Sequence, residues 1–260
     1  MLKIFSIFAI AFVLISCNNY SNLYSVNNTN ESIKEDNFFF FENDTIKITY
    51  SFWADKGYLS FTFYNKLNIP VYIDWKKSSI VKNDSKFNYW VDETKVKSRS
   101  IGANYSSLIY GGSTALYSLG SVTSESTLIK PERITFISPK SSVTRVEKNL
   151  FNLKPENVSI NAKKEKLKCN DGKTLTSVVS DYFNMENTPF RFRNFITYSL
   201  TEKFDSEYYV DNGFYVNKIS KIKRNKIVPV STVDYKTGKN KISYPYSSPT
   251  QFFIKKLPIQ

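Results

Sequence analysis

Short runs in which apolar and polar residues alternate recur along the chain from residue 38, and turn residues separate them. Positions 46, 48, 50 and 52 are apolar in one run, and positions 59, 61 and 63 are apolar in the next. Because successive side chains of a strand point to opposite faces of a sheet, each run predicts a strand with one buried face. The glycine-containing turn at residues 55–57 between the two runs predicts a hairpin.

Helix-forming patterns are scarce, and alanine occurs at only six of the 260 positions. Two short helices are predicted, one over residues 175–185 and one beginning at Ser248, where Pro249 and Gln251 occupy favourable capping positions. The fold class expected is therefore all-β, an immunoglobulin-like β-sandwich over residues 38–260 with one or two short helices. A second small domain beginning near residue 149 is the alternative organisation.

The first residues carry an export signal. Lys3 precedes an unbroken apolar run of about a dozen residues, a length typical of a signal-peptide core and too short to cross a bilayer. The run ends at residues 14–17 in Leu-Ile-Ser-Cys, which resembles a bacterial lipobox. We therefore expect removal of residues 1–16 and lipidation of Cys17, with two or three acyl chains giving stable anchoring. An ordinary secretory signal with an incidental cysteine is the alternative.

Residues 17–37 continue as a polar run of Asn, Ser and Thr without a usable apolar period. We expect this segment to be a lipidated, flexible tether between the anchor and the domain. Asn18 and Asn19 follow the cysteine where an aspartate would indicate inner-membrane retention. The expected location is therefore the cell envelope, as an outer-membrane lipoprotein that faces the periplasm.

Three segments of the chain carry a family resemblance. They are residues 65–75, which read Asn-Lys-Leu-Asn-Ile-Pro-Val-Tyr-Ile-Asp-Trp, residues 131–136, and Ser-Pro-Thr at 248–250. These segments resemble parts of uncharacterised lipoproteins of Bacteroidota. The composition, rich in Asn and Lys and poor in Ala, is consistent with an AT-rich genome of that phylum. The resemblance implies an envelope location and a β-sandwich, and it brings no known activity.

The complete absence of histidine restricts the chemistry of the chain. It excludes Ser-His-Asp and Cys-His nucleophiles and the zinc sites that contain histidine. We expect no catalytic residue, no metal site and no cofactor, and Cys169 is interpreted as a partly buried structural residue. A glycoside hydrolase with paired carboxylates is the main enzyme class that remains, and its candidate acids are Asp74, Asp92, Glu93 and Glu132.

Positive charge is the clearest global bias, because 36 basic residues against 23 acidic ones give a formal charge of +13. The densest lysine runs are residues 163–168 and 218–226. Such a surface raises the local concentration of anions. An insertion over residues 98–127 is rich in Ser, Gly and Tyr and is long enough to be functional. The candidate ligand-binding residues are Lys221, Lys223 and Arg224 for anions, and Tyr105, Tyr110 and Tyr117 of the insertion for stacking on sugars.

Together these features predict a non-catalytic binding or structural module in the cell envelope. The expected partners are the membrane, through the lipid anchor, and either an envelope protein or an anionic glycan. Nucleic acid is not expected, since no recognised reader motif is present. The alternatives are the carboxylate-based glycan hydrolase and an accessory subunit of an outer-membrane complex.

Overall fold

A computed structural model describes residues 20–29, 34–35, 38–91, 95–100, 124–129, 132–147, 156–233 and 240–255. Within these ranges every regular element is a strand except a 3-10 turn at Arg224–Lys226. The predicted all-β, sandwich-like fold is therefore confirmed. The strands are β1 (Tyr20–Asn28), β2 (Lys34–Glu35), β3 (Phe38–Glu42), β4 (Ile46–Ser51), β5 (Leu59–Asn65), β6 (Val71–Asp74), β7 (Ser79–Lys82), β8 (Ser85–Asn88), β9 (Lys95–Ser100), β10 (Ser124–Ile129), β11 (Ile134–Ile137), β12 (Ser142–Glu147), β13 (Lys163–Lys168), β14 (Leu175–Tyr182), β15 (Arg191–Ser199), β16 (Tyr208–Lys223), β17 (Val230–Val233), β18 (Asn240–Ser243) and β19 (Gln251–Lys255).

Two antiparallel sheets make up the sandwich. The larger sheet follows the order β11-β6-β15-β16-β1-β19, with β14 and β13 joined beside β16, and β7 and β8 joined beside β15. The smaller sheet follows the order β12-β5-β4-β3-β2. The larger sheet therefore combines strands from both sides of residue 149, because β15 pairs with both β6 and β7.

Aromatic side chains fill the main core between the sheets. The ring of Phe214 on the larger sheet lies 5.0 Å from Tyr50 and 5.3 Å from Phe52, measured between ring centroids. Phe61 and Phe63 of the smaller sheet are almost completely buried, as the alternating pattern of β5 predicts. Burial of such rings contributes both apolar area and specific ring geometry to stability.

The expected tether is wrong for residues 20–28, which form β1 inside the larger sheet. This strand pairs with β16 on one side and with β19 on the other. Leu23 and Tyr24 are fully buried, and so are the polar residues Ser21 and Asn22. Because both faces of β1 are covered, its polar residues do not alternate with apolar ones as they do in a strand with one wet face.

A second, smaller core lies on the opposite face of the larger sheet, where β1 begins. Its buried members are Leu23, Val178, Ile222, Ile227, Tyr246 and Phe253, and Trp53 and Leu167 pack against it. Because successive side chains of a strand point to opposite faces, β1 contributes to both cores: Leu23 lies in the second core and Tyr24 lies in the main core. The main core therefore covers one face of the larger sheet, and the second core covers the opposite face near the start of β1.

Both predicted helices are strands. Residues 175–182 form β14, in which Thr176, Val178 and Ser180 are buried and Leu175 and Ser177 are exposed. This period of two fits a strand rather than a helix. The segment after Ser248 enters β19, which hydrogen-bonds to β1 instead of forming a capped helical turn.

Residues 211–213 read Asp-Asn-Gly, a sequence typical of hairpin turns, but they lie within the long strand β16. Gly213 is required there for packing. A Cβ atom added to Gly213 would come within 3.2 Å of Thr29 Cβ and 3.3 Å of Thr29 Cγ2, closer than ordinary contacts. The glycine therefore lets the end of β1 lie directly against β16.

The hairpin predicted around residues 55–57 is confirmed, because β4 and β5 pair with each other on either side of that turn. Asn83 and Asp84 join β7 to β8 with φ values of 42° and 68°, so both adopt the left-handed conformation of a tight hairpin turn. Trp75 is buried, and Trp90 packs against the same core. The structure describes the two ends of the insertion over residues 98–127, and these ends belong to the strands β9 and β10, which pair with each other.

Candidate functional site

An open groove of about 590 Å³ lies on the larger sheet near the start of β1. We call it the lysine groove and define it by Tyr20, Lys164, Lys166, Val179, Lys221 and Lys223. These side chains come from β1, β13, β14 and β16, which are neighbouring strands. The groove therefore unites the two lysine-dense runs of the sequence, residues 163–168 and 218–226, which are far apart along the chain.

Strand register sets the spacing of the lysines. Val179 pairs with Lys164 on one side and with Lys221 on the other, so these three residues lie side by side across the sheet. Two strand spacings of about 4.8 Å place the backbones of Lys164 and Lys221 about 10 Å apart. Lys166 and Lys223 lie two residues further along their strands and point to the same face. Four lysines thus surround a floor formed by β14.

The groove continues the interior face of the sandwich beyond the main core. On β16, Ile219 is buried in that core, and Lys221 and Lys223 follow on the same face. On β1, Tyr24 is buried in the core, whereas Tyr20 is 36% exposed on the same face. The change from buried apolar residues to lysines marks the edge of the core, and the lysines keep their charges in contact with water.

The four ammonium groups are not neutralised by acidic partners. In the part of the chain that the structure describes, none of these lysines forms an ion pair. The ammonium group of Lys221 lies 4.7 Å from the centre of the Tyr20 ring, a cation–π contact that leaves its charge uncompensated. Among the described residues, the groove therefore carries positive charge that no ion pair balances.

Among the residues that the structure describes, Glu165 is the one acidic residue that borders the groove, and other groups already engage it. Burial opposes ionisation of Glu165, but hydrogen bonds from Tyr182 and Ser180 and the nearby Lys218 ammonium outweigh it, so its pKa lies below the ordinary value. The distance from Lys218 Nζ to the Glu165 carboxylate is 3.4 Å. The hydrogen bond to Glu165 in turn raises the pKa of Tyr182 to about 12. The Glu165 charge is therefore balanced by Lys218 and does not neutralise the groove lysines.

The structure separates the predicted ligand-binding residues. Lys221 and Lys223 line the groove, but Arg224 is exposed in the 3-10 turn after β16 and is not part of the lining. The remaining candidates lie outside the described residues, and they are Cys17, Tyr105, Tyr110 and Tyr117. The sequence does not indicate Tyr20 as a site residue, because the polar run over residues 17–37 predicts a tether and not a strand. The lysine run of β13 is visible in the sequence, but no local signal pairs it with β16.

The carboxylates considered for a glycoside hydrolase are engaged elsewhere or lie outside the described residues. Burial of Asp74 opposes its ionisation, but hydrogen bonds from Arg133 and from backbone N–H groups hold its pKa below the ordinary value. The Arg133 guanidinium lies 2.7 Å from the Asp74 carboxylate, which suits a structural ion pair rather than a proton donor. Glu132 accepts a hydrogen bond from Thr135 at 3.1 Å, while Asp92 and Glu93 lie outside the described ranges.

A second cavity of about 370 Å³ contains two acidic residues, Glu156 and Asp181. Ser159 donates to both carboxylate oxygens of Asp181, once from its backbone N–H and once from its hydroxyl, each at 2.6 Å. Asp181 therefore fixes the segment before β13 to β14. Among the described residues, no group of three or more His, Cys, Asp or Glu side chains is arranged to hold a metal ion. Cys169 is buried.

The chain matches no protein-family model, no curated protein and no solved structure. Within the described ranges, no helix has the length and apolar character needed to cross a membrane. The lysine groove and the N-terminal motif are therefore the observations that bear on function.

Proposed function

We propose that the protein is a lipid-anchored, non-catalytic binding module of the cell envelope that holds an anionic envelope component in the lysine groove. The observation that carries this proposal is the convergence of Lys164, Lys166, Lys221 and Lys223 on one sheet face without ion-pair partners among the described residues. The lipobox-like residues at 14–17 support the envelope location.

Clustering these four charges is unfavourable for the protein alone. Lys164 and Lys166 lie two residues apart on the same face of β13, and Lys221 and Lys223 do so on β16, so the like charges repel one another within each pair. An anion lying between Lys164 and Lys221 would offset this repulsion and gain charge-assisted hydrogen bonds from both. The arrangement therefore fits a surface adapted to bind negative charge.

The non-catalytic part of the proposal is supported by the chemistry of the groove. Its described lining contains lysines, valines, Ser177, Tyr20 and the acidic residue Glu165, which Tyr182 and Lys218 engage. With no histidine in the chain, the groove has no imidazole base to activate Ser177. This set of groups can hold an anion and offers no evident means to transform it.

Heparin chromatography of the purified protein tests the proposal. The double variant Lys221→Gln/Lys223→Gln is compared with Lys86→Gln/Lys203→Gln, which removes two exposed lysines elsewhere. Both variants have the same net charge, so a general charge effect shifts them equally. We expect the groove variant to elute at clearly lower salt than the control variant. Elution of both variants at the same salt concentration would refute the groove as the binding site.

A specific observation also favours the accessory-subunit alternative. The outer aromatic face consists of Tyr72, Phe136, Phe195 and Tyr209, on the opposite face of the larger sheet and far from the groove. Tyr209 is 72% exposed and stacks on Phe195 at 5.7 Å, and Phe136 is 53% exposed. Exposed aromatic patches are typical of protein interfaces.

Crosslinking in cells should recover a partner with the native protein and lose it with Phe136→Ser/Tyr209→Ser. Equal recovery of the partner with the native protein and with the double variant would exclude the outer aromatic face as the interface.

A further inference from the structure

We infer that the anion held by the lysine groove is the phosphate-bearing headgroup surface of the membrane into which the protein's own lipid is inserted. The groove then faces that membrane and orients the whole domain on it. This inference rests on the proposed function, since it requires both the lipid at Cys17 and the affinity of the groove for anions.

The length of chain between the lipid and the groove carries the argument. Cys17 precedes Tyr20 by three residues, and three residues span at most about 10 Å. Tyr20 is itself part of the groove, where its ring contacts the ammonium group of Lys221. A lipid on Cys17 therefore enters the bilayer within about 10 Å of Tyr20, and the groove cannot move far from the headgroups.

Tyr20 is also fixed within the sheet. It pairs with Lys223 of β16, and the following residues of β1 pair with β16 and β19 at the same time. Because β1 is buried immediately after Tyr20, the chain emerges from the domain at one defined edge. A flexible tether of twenty residues would allow any orientation, whereas this short connection holds the groove edge next to the lipid.

Charge and residue type on this edge complement a headgroup layer. The four lysines carry ammonium groups on flexible stems that can reach phosphates while their methylene groups remain close to the sheet. Each lysine near an anionic membrane surface strengthens binding about fivefold. Tyr20 adds an amphipathic ring, a residue type enriched where membranes meet water. The groove is therefore suited to a phosphate-bearing surface.

Lysine footprinting in nanodiscs tests the orientation. The lipidated chain, purified from membranes, is inserted into discs of phosphatidylcholine alone or of phosphatidylcholine mixed with phosphatidylglycerol. Mass spectrometry then measures how fast an amine-reactive reagent modifies each lysine. In the anionic discs we expect the four groove lysines to react about fivefold more slowly than in neutral discs, whereas Lys86 and Lys203 react equally in both. Added salt should abolish the difference. Equal rates for the groove lysines in both discs would overturn the inference.

A third sample separates failure of this inference from failure of the proposed function. Soluble heparin fragments are added to the protein in neutral discs, and the same lysines are measured. If heparin slows the groove lysines but anionic lipid does not, the groove binds a soluble acidic glycan and the membrane orientation is wrong. If neither slows them, the anion-binding proposal fails as well. Recovery of the chain with an unmodified Cys17 would also overturn the inference.

Discussion

Replacing Leu23 by alanine distinguishes a structural β1 from a flexible tether. Leu23 is fully exposed to solvent in the tether interpretation and fully buried in the second core of the structure. Removing three buried carbon atoms costs about 2 kcal/mol of transfer free energy, and the cavity left behind adds about 1 kcal/mol or more. We therefore expect Leu23→Ala to lower the free energy of unfolding by about 3 kcal/mol.

Thermal and urea unfolding of the protein measure this loss directly. For a chain of this size, about 3 kcal/mol corresponds to a decrease of about 6–12 °C in Tm. The matched control is Ile160→Ala, because Ile160 is 99% exposed and its truncation should change stability by less than about 0.5 kcal/mol. If both variants unfold like the original protein, β1 does not belong to the sheet and the reasoning about the groove fails with it.

Three further predictions follow from single contacts. Gly213→Ala should destabilise the protein by about 1–3 kcal/mol, because the new Cβ atom would collide with the side chain of Thr29. Arg133→Gln should cost about 1–2 kcal/mol at neutral pH, below the cost for a fully buried pair because Arg133 is half exposed. Since the pKa of Asp74 is lowered by folding, this contribution is present above its unfolded value of 3.8 and disappears as the pH falls through the folded value. Ultraviolet or NMR titration should find a pKa of about 12 for Tyr182, and Glu165→Gln should lower it towards 10.

Each of these predictions has a contradicting result. An unchanged Tm for Gly213→Ala would show that β16 is not closely covered at that point. A stability loss for Arg133→Gln that is the same at neutral and at strongly acidic pH would show that the ionised Asp74 is not its partner. A normal Tyr182 titration in the original protein would show that its hydroxyl does not contact Glu165.

The sequence predicts the strands that have one buried face. In β4 and β5 the apolar residues alternate with polar ones, and the buried positions, such as Ile48 and Phe63, are the ones that alternation selects. The signal is absent in β1, because the two cores cover both of its faces and its buried positions include Ser21 and Asn22. A pattern built on alternation cannot detect a strand that buries polar residues on both faces.

The groove could be predicted only in part. Its lysines stand out in the sequence as two charge runs, but charge runs usually lie on solvated surfaces and do not reveal their neighbours. Their meeting depends on the register of β14 with β13 and β16, which places Val179 between Lys164 and Lys221. Register of this kind follows from tertiary packing rather than from local sequence. The sequence does not indicate Tyr20 as a groove residue, because its pattern does not predict the strand β1 that carries Tyr20.

Residue-resolved NMR of the lysine side chains, recorded while an anionic oligosaccharide or phospholipid micelle is added, shows whether the lysine groove is an anion site. We predict that the ε-methylene signals of Lys164, Lys166, Lys221 and Lys223 shift together, with one common affinity that weakens as salt rises. Signals of exposed lysines elsewhere, such as Lys86 and Lys203, should stay in place. Shifts spread evenly over all exposed lysines, or none at all in the groove, would contradict the existence of a specific anion site.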